Sequence, residues 1–166
     1  MGCPAEAVWG LSCDPLEETA VARLLALKQR PVSKGLILVA ASMAQIDGLL
    51  EGLSKPQYNK LALSWPGPTT WLIPHHGRVP SWIHGGHQSV AVRVTAHPVL
   101  SALCAIWGGA LVSTSANPAG AQPAVEAFQV RRYFADSLDA LVPGVIGARG
   151  RPSVIRDLIS DEILRT

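Results

Sequence analysis

Leu111-Val112-Ser113-Thr114-Ser115-Ala116-Asn117-Pro118-Ala119-Gly120 begins as an apolar strand and changes abruptly to hydroxyl and amide side chains before a turn. A strand end that presents small hydrogen-bonding side chains suits a polar ligand at the carboxyl edge of a sheet. The same residues also fit an ordinary strand end closed by an Asx-type turn, because Asn, Pro and Gly are common turn residues. The segment therefore predicts a strand followed by a turn, and a ligand site is one of two interpretations.

A cluster of cations lies upstream, after a predicted helix. Lys28 and Arg30 come just before Pro31, and Lys34 follows Arg30 by four residues. Cations near a helix C-terminus complement the helix dipole, so a purely structural interpretation stays open. Pro31 restricts the residue before it to an extended conformation, which would aim the Arg30 guanidinium instead of leaving it loose in solvent. Together with the downstream hydroxyls, these cations indicate an anionic, phosphorylated substrate.

The helix before these cations has a strong start signal. Asp14 can accept a hydrogen bond from the first turn, Pro15 presets the backbone, and Glu17 and Glu18 favour the positive end of the helix dipole. The pattern predicts a helix from Asp14 to about Lys28. Its buried stripe is predicted to contain Leu16, Ala20, Leu24 and Leu27.

Helices and strands alternate along the rest of the chain. Further strands are predicted at 36–40, 69–73, 89–94, 110–114, 140–142, 153–157 and 162–165. Further helices are predicted at 42–50, 54–65, 98–107 and 125–134. The alternation, without repeats or low-complexity linkers, indicates an α/β sheet covered by helices. With 166 residues, the chain is long enough for one folding unit with a substantial core.

Composition excludes several classes of protein. Hydrophobic residues make up 48% and charged residues 16% of the chain, which indicates a globular protein instead of a disordered one. Cys3, Cys13 and Cys104 are odd in number and lack the spacing of a disulfide framework or a zinc site, so a reducing cytoplasm is the expected location. No apolar run is long enough for a membrane span or a signal peptide, and we expect neither membrane insertion nor export.

Four histidines lie in the loop from 74 to 88, which is rich in Pro and Gly: His75, His76, His84 and His87. They lack accompanying carboxylates or thiolates. We therefore interpret them as exposed loop residues and predict no metal site.

The chain closely resembles the YrdC/TsaC family, the threonylcarbamoyl-AMP synthases, in five segments that occur in the same order: KQRPVSKGLILVAA, SWPGPTTWLIP, VAVRVTAHP, LVSTSANPAG and RPSVIRDL. The match runs from about Pro4 to Arg165, and five ordered segments are far more specific than one short motif. The resemblance implies the YrdC-like fold, a twisted mixed open sheet with flanking helices, as a single domain over residues 1–166.

The resemblance also implies a reaction. The amine of L-threonine captures bicarbonate or carbon dioxide, and the carbamate oxygen attacks the α-phosphorus of ATP, which releases pyrophosphate and leaves threonylcarbamoyl-AMP. Mg²⁺ would accompany the ATP, and transfer proteins downstream would use the product for the t6A modification of tRNA. The chain has no GxxxxGK[ST] or GxGxxG loop, so side chains must do more of the phosphate binding.

Residue roles carried over from the family fall into three sets. The cations implied to act in catalysis are Lys28 and Arg30. The residues implied to bind the nucleotide are Arg30, Lys34, Ser115, Asn117 and Arg165. The residues implied to bind threonine are Arg93, Ser113 and Ser153. Arg93 lies mid-strand among valines, where a charge needs a partner, so a structural salt bridge is the alternative interpretation.

Two departures from the family pattern bear on activity. Family members begin with a helix and a strand that we expect this chain to lack, and a lost strand would leave its neighbour with unpaired backbone groups. Ala5 and Ala7 stand where the family has threonines, and Ala5 removes a hydroxyl near the expected threonine pocket.

An RNA-binding module without catalytic turnover is the alternative function. Its contacts to tRNA or double-stranded RNA would come from surface arginines, namely Arg131, Arg132, Arg149, Arg151 and Arg156. Such arginines are more often ordinary solvated surface. Binding that falls steeply with salt and survives loss of Lys28 or Arg30 would identify this alternative.

Overall fold

Eight strands form one mixed, open sheet in this computed structural model, which describes residues 1–148 and 153–165. The strands are β1 (Gly2–Pro4), β2 (Trp9–Leu11), β3 (Ile37–Ala40), β4 (Thr69–Pro74), β5 (Ser89–Val94), β6 (Leu111–Ser115), β7 (Val154–Asp157) and β8 (Ile163–Arg165). Their order across the sheet is β1-β2-β6-β3-β5-β4-β7-β8. The β3/β5 and β4/β7 pairs are parallel and the other pairs are antiparallel, which confirms the predicted mixed open sheet with flanking helices.

The helices are α1 (Glu18–Lys28), α2 (Asp47–Leu50), α3 (Lys55–Ser64), α4 (Ser81–His84), α5 (Pro98–Trp107) and α6 (Ala127–Phe134). The predicted helix over 42–50 is divided into a 3-10 turn at Met43–Ile46 and the short α2. Helix α4 interrupts the histidine loop, which the sequence pattern did not predict. Helix α3 begins as predicted because Gln57 Oε1 accepts a hydrogen bond from the Ser54 backbone N–H at 2.8 Å.

The predicted start of α1 is wrong by three residues, because Glu17 and not Asp14 caps the helix. Asp14 Oδ1 accepts from the Leu16 backbone N–H at 2.9 Å, so this residue closes a turn instead of capping the helix. The helix begins after Glu17, whose carboxylate accepts from the Thr19 backbone N–H. Leu16 consequently lies outside the helix and is 73% exposed, whereas Val21 takes a fully buried place on the inner face. The predicted end at Lys28 is confirmed.

Strand register divides the core between the two faces of the sheet. Val39 pairs with both Arg93 and Leu111, and paired residues lie on the same face. Val39 and Leu111 pack against α5 in a small core that contains Leu100 and Cys104. The larger core lies on the opposite face and includes Leu38, Val92 and Val112. Arg93 is therefore on the face of the sheet that carries α5.

The outer edge of β1 is partly covered by a later segment. The Gly2 N–H donates to the Ala140 carbonyl at 2.8 Å, and the Val142 N–H donates to the Gly2 carbonyl at 2.9 Å. The strand predicted at 140–142 is reduced to one bridge at Leu141. Pairing of this kind satisfies backbone groups at an edge strand.

Within residues 1–148 and 153–165, no helix is both long and apolar enough to cross a membrane.

Candidate functional site

A cleft of about 250 Å³ lies beside the carboxyl end of β6. The segment from Ala5 to Gly10 lines it, together with residues of β5 and of the C-terminal segment. Six of the residues selected from the sequence line it: Arg30, Arg93, Ser113, Ser115, Ser153 and Arg165. The fold thus brings together residues that are up to 135 positions apart (165 − 30). Lys28, Lys34 and Asn117 are not part of the lining.

Lys28 lies beneath the cleft and not on its surface. Its ammonium donates hydrogen bonds to the backbone carbonyls of Ser115 and Asn117, the second at 2.9 Å, and its own carbonyl accepts from the Ala119 N–H at 2.9 Å. The residue is 5% exposed. Burial, and secondarily the positive charge of Arg30, lower the pKa of the Lys28 ammonium to about 8. Lys28 therefore ties the end of α1 to the polar end of β6.

The lowered pKa of Lys28 predicts a specific dependence of stability on pH. A free lysine keeps its proton to about pH 10.4, so between about pH 8 and that value the unfolded chain binds more protons than the folded one. The free energy of unfolding of the unaltered protein should therefore rise with pH in this window, by about 1 kcal/mol from pH 8 to pH 9, relative to Lys28→Met. Urea unfolding of both proteins at the two pH values measures this difference, and the contributions of groups that both proteins share cancel in the comparison. An equal stability difference at both pH values would contradict the prediction.

Asn117 and Lys34 play different parts from each other. The Asn117 amide donates to the carbonyls of Pro118 and Ala121 at 3.1 and 2.8 Å, which fixes the turn after β6. Its Oδ1 is buried and accepts no hydrogen bond among the described residues. Lys34 is exposed at the end of a 3-10 turn. Neither side chain lines the cleft. Asn117 nevertheless fixes the turn after β6, and the end of β6 does line the cleft.

The Arg30 guanidinium is held by two backbone carbonyls and keeps one buried N–H donor unpaired among the described residues. Its Nη2 donates to the carbonyls of Lys34 and Gly35 at 3.1 and 2.8 Å. Its Nε is buried and has no hydrogen-bond partner within the described residues. Burial lowers the pKa of the Arg30 guanidinium below its usual range. The two backbone anchors hold a cation at the cleft with little freedom to turn away, as anion binding requires.

Arg93 has a buried partner that the sequence pattern did not identify. Its Nη2 lies 3.1 Å from Glu6 Oε2, and both side chains are largely removed from solvent. Burial lowers the pKa of Arg93, the negative charge of Glu6 opposes that effect, and the positive charge of Arg165 adds to it. The salt bridge is real, as one interpretation of the sequence had it. Arg93 also lines the cleft, so the two interpretations are compatible.

Ser153 and Arg165 form the side of the cleft nearest the C-terminus. Arg165 Nη2 donates to the Ser153 carbonyl at 2.9 Å and to its hydroxyl at 3.2 Å. The Thr70 hydroxyl donates to Ser153 Oγ at 2.9 Å, and both are buried. Burial lowers the pKa of Arg165. The pairing of β7 with β8 thus delivers a third arginine to the same cavity.

Sequence reasoning missed Glu6, Thr70 and Thr95. Glu6 Oε1 accepts from the Thr95 hydroxyl at 2.5 Å, and Thr95 Oγ1 accepts from the His97 backbone N–H at 3.1 Å. An unpaired arginine in an apolar strand was the available signal that some carboxylate must reach Arg93. The sequence did not indicate which carboxylate it would be, because Glu6 is 87 positions away from Arg93 (93 − 6).

A larger groove of about 580 Å³ contains none of the predicted site residues. Its lining is mostly apolar and includes Leu38, whose side chain faces away from the cleft, but four polar or charged residues also contribute: Asp14, Gln45, Glu51 and Arg78. The interpretation of the four loop histidines as exposed is wrong for His75, which is buried and stacks on His84 with ring centroids 4.2 Å apart. His87 is exposed, and its Nε2 lies 2.9 Å from the Ser33 carbonyl. Within the described ranges, no group of three or more His, Cys, Asp or Glu residues is arranged to hold a metal ion.

The cleft and the sheet define a class of protein. The family model Sua5_yciO_yrdC, described as "Telomere recombination", matches residues 1–166. This chain belongs to the Sua5/YciO/YrdC family, as the resemblance in five segments predicted.

Curated relatives are similar over almost the entire chain. Proteins named threonylcarbamoyl-AMP synthase from Stutzerimonas stutzeri and Saccharophagus degradans are 56% and 57% identical to it over 162 residues. These alignments cover 98% of this chain and 87% and 85% of the two relatives.

Solved structures agree on the fold. The crystal structure of P. abyssi Sua5 complexed with L-threonine superposes with a TM-score of 0.87 at 31% identity, covering 94% of this chain. This chain spans about half of that structure, 46%. E. coli YciO superposes with a TM-score of 0.84 and covers 99% of this chain and 81% of its own, but at 18% identity the likeness concerns the fold alone.

Proposed function

We propose that this chain synthesises threonylcarbamoyl-AMP from L-threonine, bicarbonate or carbon dioxide, and ATP, with release of pyrophosphate. The observation that carries the proposal is the cleft, where Arg30, Arg93 and Arg165 meet three serine hydroxyls in a chain 56% identical to proteins of that name. Three guanidinium groups around one cavity suit two substrates that are both anionic, an amino acid carboxylate and a triphosphate.

The proposed chemistry needs no nucleophile from the protein. The threonine amine attacks carbon dioxide, or bicarbonate with loss of water, and gives up a proton to become a carbamate. A carbamate oxygen then attacks the α-phosphorus of ATP, and the bond to the β,γ-pyrophosphate breaks. Oriented reactants and fixed positive charge around the developing negative charge accelerate such a step. We assign that charge to Arg30, whose guanidinium is fixed by two backbone carbonyls.

We assign the remaining roles from position in the cleft. Ser113 and Ser115 lie on the same face of β6 and line the cavity, so they suit hydrogen bonds to substrate oxygens. Arg93 and Ser153 are assigned to the threonine end, and Arg165 to the nucleotide. Lys28 and Asn117 shape the strand end from below, and the exposed Lys34 is assigned to the outer phosphates.

Mg²⁺ is proposed to enter with ATP. Among the cleft-lining residues in the described ranges, Glu6 is the one carboxylate, and it faces Arg93, so the protein side chains fit no dedicated magnesium cage. Mg²⁺ in nucleotide sites is commonly coordinated by phosphate oxygens and several water molecules. The ion would supply charge neutralisation of the triphosphate, while the arginines orient the reactants.

We place this chemistry in the cytoplasm, where the product would pass to the proteins that complete the t6A modification of tRNA. The alternative RNA-binding function gains no specific support. Arg131 and Arg132 are exposed in the last turn of α6, and Arg156 is paired with Asp161 at 2.6 Å. Arg149 and Arg151 lie outside the described residues.

Pyrophosphate release by the purified protein tests the proposed function. Release should require L-threonine, bicarbonate, ATP and Mg²⁺ together, and omission of any one should reduce it to the background rate. Mass spectrometry of the reaction should detect threonylcarbamoyl-AMP in amounts equal to the pyrophosphate. Pyrophosphate release from ATP without threonine, or none with all four present, would contradict the proposal.

A further inference from the structure

A short buried relay connects the backbone near α5 to the guanidinium of Arg93. The His97 N–H donates to Thr95 Oγ1 at 3.1 Å, the Thr95 hydroxyl donates to Glu6 Oε1 at 2.5 Å, and Glu6 Oε2 lies 3.1 Å from Arg93 Nη2. Thr95, His97 and Arg93 are all buried. Each member of the relay therefore has its orientation set by the one before it.

The direction of this relay is fixed by the donor at its start. Because the His97 N–H is a donor only, it must use a lone pair of the Thr95 oxygen, and the Thr95 hydroxyl hydrogen is then free to point at Glu6. The backbone of Glu6 is held as well: the Gly147 N–H donates to the Ala5 carbonyl at 3.0 Å. A side chain at position 147 would bring a Cβ to 2.7 Å from the Glu6 carbonyl oxygen. The carboxylate is thus fixed from both ends.

The contact between Glu6 and Arg93 uses only one end of the guanidinium. Arg93 Nε is buried and has no hydrogen-bond partner among the described residues. Glu6 Oε2 is also buried, and its 3.1 Å contact with Arg93 Nη2 is an ion pair whose angles do not meet those of a hydrogen bond. A structural ion pair of maximal strength would be bidentate and would satisfy these atoms. The incomplete pairing leaves donor capacity on a cation that lines the cleft.

We propose that Glu6, held by Thr95, is a positioning residue that fixes Arg93 for the carboxylate of the amino acid substrate. The inference rests on the proposed function for the identity of that substrate. Glu6 acts through Arg93 and not on the reacting atoms. Without the carboxylate, the buried guanidinium loses the one acidic partner it has among the described residues and adopts other rotamers, so the oriented donor is lost even though the positive charge remains.

This role predicts that the two substrates respond differently. Arg30 also lines the cleft, but its guanidinium is anchored by the carbonyls of Lys34 and Gly35 and not by Glu6. Loss of Glu6 should therefore weaken the amino acid and leave the nucleotide almost unaffected. A general loosening of the fold would weaken both.

The test compares Glu6→Gln, Thr95→Val and Thr95→Ser with the unaltered protein. For Glu6→Gln we expect the Kd of L-threonine by calorimetry and its KM to rise about tenfold, the loss expected for one charge-assisted hydrogen bond. The KM for ATP should stay within about twofold. Thr95→Val should shift the threonine constants in the same direction by a smaller factor, and Thr95→Ser, which keeps the hydroxyl, should restore them.

Glu51→Gln is the matched control. It removes the carboxylate of an ion pair of similar length, 3.3 Å to Arg78, on the groove that contains none of the site residues. It should leave both substrate constants unchanged. If Glu6→Gln binds threonine as well as the unaltered protein, or more tightly, the inference is overturned; tighter binding would mean that Glu6 competes with the substrate carboxylate for Arg93.

The calorimetric measurement of threonine binding distinguishes failure of this inference from failure of the proposed function. Turnover by the unaltered protein with no threonine effect in Glu6→Gln overturns the inference alone. Threonine binding that weakens in Glu6→Gln, without turnover in any protein, overturns the proposed function and leaves the inference standing. An unaltered protein that binds no threonine overturns both.

Discussion

Arg30→Ala should lower kcat/KM for pyrophosphate release by about 100- to 1,000-fold, the range for removal of a fixed donor that stabilises developing negative charge. Arg30 lines the cleft, and two backbone carbonyls hold its Nη2, so its position does not depend on the bound substrate. Alanine removes both the charge and the preorganised fork. Steady-state kinetics with varied ATP and varied threonine measure the loss.

Two further variants make the Arg30 result specific. Arg30→Lys keeps the charge but cannot reproduce the planar fork, so we expect a loss of about tenfold or more. Arg131→Ala removes an exposed arginine from the last turn of α6 and should leave kcat/KM within about twofold. Activity of Arg30→Ala comparable to that of the control would show that residues other than Arg30 stabilise the negative charge that develops during the reaction.

Lys28→Met should lower kcat/KM by about 100-fold although Lys28 does not line the cleft. Its ammonium is the donor to the carbonyls of Ser115 and Asn117, and an unsatisfied buried carbonyl costs about 1 to 3 kcal/mol. The strand end must rearrange to recover that free energy, and the rearrangement displaces the Ser115 hydroxyl from the cleft. Methionine lacks the terminal ammonium but preserves the unbranched apolar stem of the side chain, so packing against the core changes little.

The control for Lys28→Met is Lys55→Met, at the exposed start of α3, which should have full activity. Circular dichroism should find the same helix content in both variants. Full activity of Lys28→Met with an intact fold would mean that the carbonyls of Ser115 and Asn117 are satisfied by water and that the strand end keeps its shape.

The fold was largely readable from local patterns. The strands at 69–73 and 89–94 and the helix at 98–107 were predicted within one residue, because an apolar pattern marks all three. Pro74 and Gly108 also mark the ends of the first strand and of the helix. The start of α1 was predicted incorrectly, because the pair Asp14-Pro15 occurs both at helix caps and in tight turns. Only the packing of Val21 and Leu24 against the core selects between those two outcomes.

The candidate site was readable in part. Arg30, Ser115 and Arg165 were selected from the family resemblance, and the structure brings them to one cleft. Their individual contacts with substrate stay predictions. Lys28 was expected to act on the substrate directly, whereas its ammonium donates to two backbone carbonyls. Because every residue has a backbone carbonyl, the pattern of side chains cannot predict such a partner.

The amino-acid sequence by itself determined the alternating elements, the polar end of β6 and the supply of cations, since these depend on neighbouring residues in the chain. Only the tertiary structure decided that Glu6 faces Arg93, that Arg165 reaches Ser153 and that Lys28 lies under the strand end. Those contacts join residues far apart in sequence, and their identity depends on which strands pair and in which register.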